Sequence, residues 1–242
     1  MDLNPSSINK YLTFNMASNL DLTACITGLS QLHLIQRKDG FKLQPEASKQ
    51  FDAMAAAAEL DGIKLSIVSA FRSYQRQALI WQAKLTGKRT VYDLNNQPVR
   101  LDSLNIKAKL NAVLLFSALP GASRHHWGTD IDLYDANAVA SDYQPRLEPV
   151  EYQIGGPFFA MTKWLEQHAN RFGFFMPYKH YQQGVAAEPW HLSYAVVADL
   201  YQQQLSCQLL ANCIKQNPIA EQEAVLTHLA EIYQQYVQNI CR

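Results

Sequence analysis

Residues 129–135 read TDIDLYD, and their alternation decides the architecture. Successive side chains of an extended chain point to opposite faces, so Ile131 and Leu133 share one side while Asp130, Asp132 and Tyr134 share the other. A strand with one face in a core and one polar face is predicted. Just ahead of it, PGASRHHWG (120–128) places two histidines on a turn, and Gly128 lets the chain fold so that His125 and Asp132 converge.

Working outward, IKLSIVSAF (63–71) is β-branched and apolar and short enough for a second strand ending near Phe71. The helix before it is QPEASKQFDAMAAAAELDG (44–62), with Pro45 near its start, Phe51, Met54, Ala55 and Ala58 at helical spacing, and Gly62 past its end. Ser73 can cap the next helix, in which Tyr74, Ala78, Trp81 and Leu85 form one stripe before Gly87. Arg72 therefore stands at a strand-to-helix junction. KRTVYDLNNQPVRLD (88–102) reads as loop with a hairpin, and SLNIKAKLNAVLLFSAL (103–119) as a helix stopped by Pro120-Gly121. Downstream, PFFAMTKWLEQHANRFGF (157–174) is a helix closed by Gly173, and WHLSYAV (190–196) is a further strand. The last ~45 residues hold two helical patterns broken at Asn217-Pro218, while the first ~40 look irregular.

The fold class that follows is α+β: a small antiparallel sheet carries the polar residues, helices pack on it, and a helical C-terminal extension is added. The expected organisation is an N-terminal segment (1–44) packed on the domain, a main domain (45–195) and the C-terminal helical extension (196–242). Lysines plus arginines number 21 and aspartates plus glutamates 21, so no bulk charge steers the chain to nucleic acid or an anionic membrane. Cys25, Cys207, Cys213 and Cys241 lie far apart without a Cys-x-x-Cys pair and read as packing residues. No run of eighteen apolar residues and no export signal is present, so the chain as it stands reads as soluble and cytoplasmic, or as periplasmic or envelope-bound if a signal was removed. Its oligomeric state is not encoded in any pattern.

A catalytic zinc takes three ligands from His, Asp or Glu and keeps one position open for water. His125 and Asp132 supply two candidates. In EPWH (188–191), His191 is the obvious third, and Glu188, three residues ahead across Pro189, can reach the water without being a ligand, as a general base does. Singly, each has an ordinary reading: His125 as a turn histidine, Asp132 as a solvated strand aspartate, Glu188-Pro189 as a loop. His126 beside His125 competes for the same role, and His33, His168 and His228 read as packing histidines.

SRHHWGTDID (123–132) resembles the Ser-x-His-x-x-Gly-x-Ala-x-Asp motif of the VanY-type D-alanyl-D-alanine carboxypeptidases and dipeptidases, EPWH resembles their second motif, and SAFRSYQRQ (69–77) their Ser-x-x-Arg-Ser segment. The three motifs occur in the family order, and the resemblance covers roughly residues 45 to 195. The resemblance implies a LAS-type fold and a zinc ion (Zn2+) held by His125, Asp132 and His191, the family spacing favouring His125 over His126. It further implies Glu188 as catalytic base, Arg72 beside the reacting carbonyl, and Gln77 and Ser123 as substrate contacts that share the terminal carboxylate. Gln77 has an alternative reading as an exposed helix glutamine. The implied activity is zinc-dependent hydrolysis of the C-terminal D-alanine bond of peptidoglycan peptides. The competing readings are an endopeptidase, an L,D-carboxypeptidase and a non-catalytic zinc-holding protein. Asp130 departs from the pattern, which has a small apolar residue there; alternation puts it on the same side as Asp132.

Overall fold

The computed structural model describes residues 21–242, so the first twenty residues of the expected 1–44 segment lie outside the described residues. From Asp21, whose carboxylate accepts from the Ala24 amide, a short helix α1 (Leu22–Ile26) leads to a two-stranded hairpin, β1 (Ile35–Gln36) and β2 (Lys42–Leu43). That hairpin occupies sequence expected to be irregular. Its strands are two residues each, too short for alternation to show.

Helix α2 (Pro45–Leu60) starts where expected. Pro45 occupies the first turn, where its missing N–H costs nothing, and the Gln44 side chain accepts from the Ala47 amide at 2.8 Å. Phe51, Met54 and Ala58 are buried. Strand β3 (Leu65–Ser69) follows, then α3 (Tyr74–Leu85), capped by Ser73 as the sequence indicates. The 88–100 excursion is a tight turn. Tyr92 bridges Pro98, and the Asp93 carboxylate accepts from the amides of Asn95 and Gln97, both at 2.8 Å.

Helix α4 (Ile106–Leu114) ends five residues before the expected stop at Leu119. The reason lies in the carbonyls that follow it: those of Leu115, Phe116 and Ala118 accept from Ala186 N, Lys84 Nζ and Gln77 Nε2, partners elsewhere in the chain. A single 3-10 turn (Arg124–Trp127) then enters β4 (Asp130–Asp135). Helix α5 (Pro149–Tyr152) precedes α6 (Phe159–His168), which starts two residues after Pro157 and runs through another 3-10 turn to Gly173. Strands β5 (Phe174–Phe175) and β6 (His191–Tyr194) complete the sheet, and the remainder is helical: α7 (Ala195–Gln204), α8 (Cys207–Gln216), α9 (Gln222–Thr227) and α10 (Leu229–Ile232), the last running into a π-helical turn.

The α+β class holds, with a four-stranded antiparallel sheet in the order β3-β4-β6-β5. One continuous apolar core joins Met54, Trp81, Ile131, Leu133, Phe158, Leu165 and Leu192 and extends to Leu210, Val225 and Leu229 of the C-terminal helices. Strand β4 departs from the expected one-sided burial: Asp130 and Asp132 are as enclosed as Ile131 and Leu133. The polar face is a buried polar layer. All four cysteines are free, and among the described residues no helix is long and apolar enough to cross a membrane.

Candidate metal centre

Antiparallel pairing sets Asp132 of β4 directly opposite His191 of β6, and Asp130 opposite Ser193. Residues facing each other across such a pair bring their side chains close together. His125 arrives from the 3-10 turn, whose exit requires the left-handed conformation of Gly128 at φ +68°. A Cβ at Gly128 would stand 2.3 Å from the Leu34 side chain, and its carbonyl accepts from the Gln44 amide. The turn is thus clamped between the hairpin and the start of α2. On its other side the Arg72 amide donates to the His125 carbonyl, which ties the strand-to-helix junction to the histidine turn.

His125 Nε2 lies 3.3 Å from Asp132 Oδ2, and His191 Nδ1 lies 3.1 Å from Asp132 Oδ1. One donor atom from each of the three falls within 4.8 Å of the others. Each imidazole is tied down on its far side. His125 Nδ1 faces the Ala70 carbonyl at 2.8 Å, and His191 Nε2 faces Asp130 Oδ1 at 2.9 Å. Both partners are acceptors, so these nitrogens carry protons, which leaves His125 Nε2 and His191 Nδ1, the atoms facing Asp132, to give a lone pair each to a cation that displaces any proton there. Asp132 Oδ1 is buried and close to His191, yet no donor is aligned with it. Two converging lone pairs around an orphaned carboxylate oxygen suit a divalent cation better than a hydrogen-bond network, and a two-histidine, one-carboxylate set suits zinc.

Electrostatics agrees with a charged centre. Burial works against ionisation of Asp132 and Asp130, but His125 and His191 hold the first, and Arg124 and His191 the second, well below the usual carboxylate range. Burial lowers His125, whereas Asp130 and Asp132 overcome burial at His191 and raise it to about 10. Glu188 Oε2 stands 3.5 Å from His191 Nδ1 and borders a cavity of about 500 Å³ that His125, Asp132 and His191 also line. Burial pushes its carboxyl up to about 7.

The other predicted residues divide. Arg72 lines the cavity, its guanidinium donating to Gln77 Oε1 at 3.0 Å and to Ser69 Oγ at 3.1 Å. Ser123 lines it too, with a buried hydroxyl that has no partner. Gln77 is brought to neither the cavity nor solvent. It is fully buried, its Oε1 taken by Arg72 and its Nε2 by the Ala118 carbonyl, which corrects the reading of it as an exposed glutamine. His126 is turned away from the cluster, accepting from the Gly121 amide and bonded to the Arg72 carbonyl at 2.6 Å.

Among the cavity residues that sequence reasoning missed are Tyr178 and Lys84. Tyr178 packs its ring edge-on to His191 at 5.1 Å and takes the Glu188 amide on its carbonyl; nothing in its local sequence signals this. Lys84 lies seven residues after Gln77, hence on the same face of α3, a spacing that could have found it.

The family model described as VanY, D-alanyl-D-alanine carboxypeptidase, matches residues 40–197. An uncharacterised protein of Haemophilus influenzae is 36% identical over 121 residues, 49% of this chain and 92% of that protein. A D-alanyl-D-alanine carboxypeptidase of Enterococcus faecalis is 24% identical over 190 residues, 76% of this chain and 61% of that one. Among solved structures, VanYB in complex with D-alanine-D-alanine is 22% identical with a TM-score of 0.49, covering 76% of this chain and 88% of that chain.

Proposed function

The chain belongs to the VanY family of D-alanyl-D-alanine carboxypeptidases, and on that premise we propose that it is a zinc-dependent carboxypeptidase releasing the C-terminal D-alanine of peptidoglycan peptides. The observation that carries the reading is the convergence of His125, Asp132 and His191 on one buried point with Glu188 beside it. These three residues would hold the zinc, which supplies Lewis acidity to the scissile carbonyl and acidifies a water. Glu188 accepts that water's proton and returns it to the leaving amine, a task helped by a carboxyl raised toward neutrality. Arg72, pinned by Gln77 and Ser69, borders the cavity as a fixed cation for the negative charge that develops on the carbonyl oxygen. Ser123 offers a free hydroxyl to the substrate.

Incubation with wall-derived penta- and tetrapeptides, followed by mass spectrometry, tests this. Loss of one alanine from the pentapeptide is expected; trimming of the tetrapeptide alone would assign the L,D activity, and internal cuts the endopeptidase. In Glu188→Gln, turnover should fall by on the order of 10²-fold or more while bound zinc is unchanged. Parental turnover in that variant would place the base elsewhere.

A further inference from the structure

The cavity beside the three ligands holds more positive charge than the proposed reaction uses. Five cations border it. Arg124 is paired with Asp130 at 2.9 Å and Arg146 with Glu148 at 3.4 Å, whereas Arg72, Lys84 and Arg89 have no carboxylate within 4 Å among the described residues. Arg72 is anchored by neutral oxygens and stands where the carbonyl charge would develop. Lys84 has no such assignment. It is half-buried on the face of α3 that Gln77 shares, and its ammonium donates only to the Phe116 carbonyl at 3.3 Å. An ammonium carries three donors, so two are left for whatever enters the cavity.

The cost of this arrangement is visible. Burial lowers Lys84 to about 8; Glu188 opposes the shift, and Arg89 and Arg72 add to it. Three like charges around one cavity repel one another, and an entering anion relieves that repulsion. Of the acids that line it, Asp132 is engaged by both histidines, Glu148 by Arg146, and Glu188 lies on the His191 side. Among the described residues, no carboxylate lies within 4 Å of the Lys84 ammonium, and Glu188 acts on it only from farther off.

We propose that Lys84, with Arg89 beside it, forms a subsite for a free carboxylate of the substrate peptide. The proposal rests on the peptidase reading given above. The carboxylate is the terminal one or one carried by a side chain further toward the amino end of the peptide; both present the same two oxygens to the ammonium.

Four peptides distinguish the sources: a free acid and its C-terminal amide, and a pair differing by carboxylate or carboxamide in a side chain further toward the amino end. The parental enzyme should prefer the carboxylate member of one pair by at least ~10-fold in kcat/KM, equivalent to about 1.4 kcal/mol. Lys84→Met should lose that preference by slowing only the carboxylate member, and Lys84→Arg should keep most of it. Which pair responds identifies the group. Equal slowing of both members would overturn the subsite and leave Lys84 acting through Glu188 or through folding, as would a parental enzyme with no preference in either pair. Should the parental chain cleave none of the four, the peptidase reading falls, and calorimetric binding of the same peptides decides the subsite. A carboxylate preference lost in Lys84→Met upholds it, and one that survives refutes it.

Discussion

Asp130 stands where the family motif carries a small apolar residue, and the structure gives it a definite position. Its carboxylate faces His191 Nε2 and is itself held by Arg124 Nε, Thr129 Oγ1 and Ser193 Oγ, all within 3.0 Å. A carboxylate behind a metal-binding imidazole fixes its tautomer and strengthens it as a donor, and loss of such a partner usually weakens metal binding about 10- to 100-fold. Asp130→Asn, which keeps the shape and removes the charge, should weaken zinc binding by that factor in chelator competition, with circular dichroism unchanged. Parental affinity would show that His191 needs no carboxylate behind it. The convergence of His125, Asp132 and His191 was legible because few residue types bind zinc and strand alternation assigned Asp132 its side. The surroundings of Gln77 were not, since its burial depends on a carbonyl 41 residues away. Seven residues separate Lys84 from Gln77, and that spacing carried the signal of a shared face, but not of an unpaired charge.

The N-terminal hairpin and α7 meet at His33, whose ring lies edge-on to Phe71 and Tyr201 with centroids 6.4 and 6.0 Å away. Burial pulls its imidazole down to about 4, with the backbone at Trp127 and His126 opposing. The native state therefore holds His33 neutral over a range in which the unfolded chain, titrating near 6.5, takes up a proton. Stability must fall as pH drops from about 6.5 toward 4 and level off below, by about 3 kcal/mol in all if His33 acts alone. Denaturant unfolding of the parent and of His33→Leu across that range checks the sign: the gap should move in favour of the leucine variant as the solution becomes acid. A gap that stays constant would mean the imidazole is solvated. Long periodic elements such as α2 and α3 were legible to within a residue or two, with Ser73 as the cap of α3. The two-residue strands of the hairpin were not, being too short for alternation to show, nor was the early end of α4, which is set by hydrogen bonds to distant chain.

Helical character after residue 195 was equally plain in the sequence, as apolar stripes interrupted at Asn217-Pro218, but nothing local said what those stripes would cover. In the structure they close the same core that carries the sheet. Trp81 Nε1 donates to the Ala220 carbonyl at 2.9 Å, Tyr74 OH to that of Asn217 at 2.6 Å, and Gln202, which accepts from Arg124, donates on to Val237. The last of these connects the π-helical turn through Arg124 to Asp130 and so to His191. A chain ended after Asn217 loses Val225, Leu229 and Ile232, each buried, and at about 1.5–3 kcal/mol per aliphatic side chain they contribute roughly 5–9 kcal/mol together. Whole domains are stable by only about 5–15 kcal/mol, so the shortened chain should be largely unfolded at ambient temperature or melt far below the parent, and should bind zinc poorly even though all three ligands remain. Thermal unfolding and zinc titration of the two chains side by side decide this. A shortened chain that melts with the parent and retains its zinc would make the final helices an appendage, and would break the proposed connection from Val237 to the metal ligand.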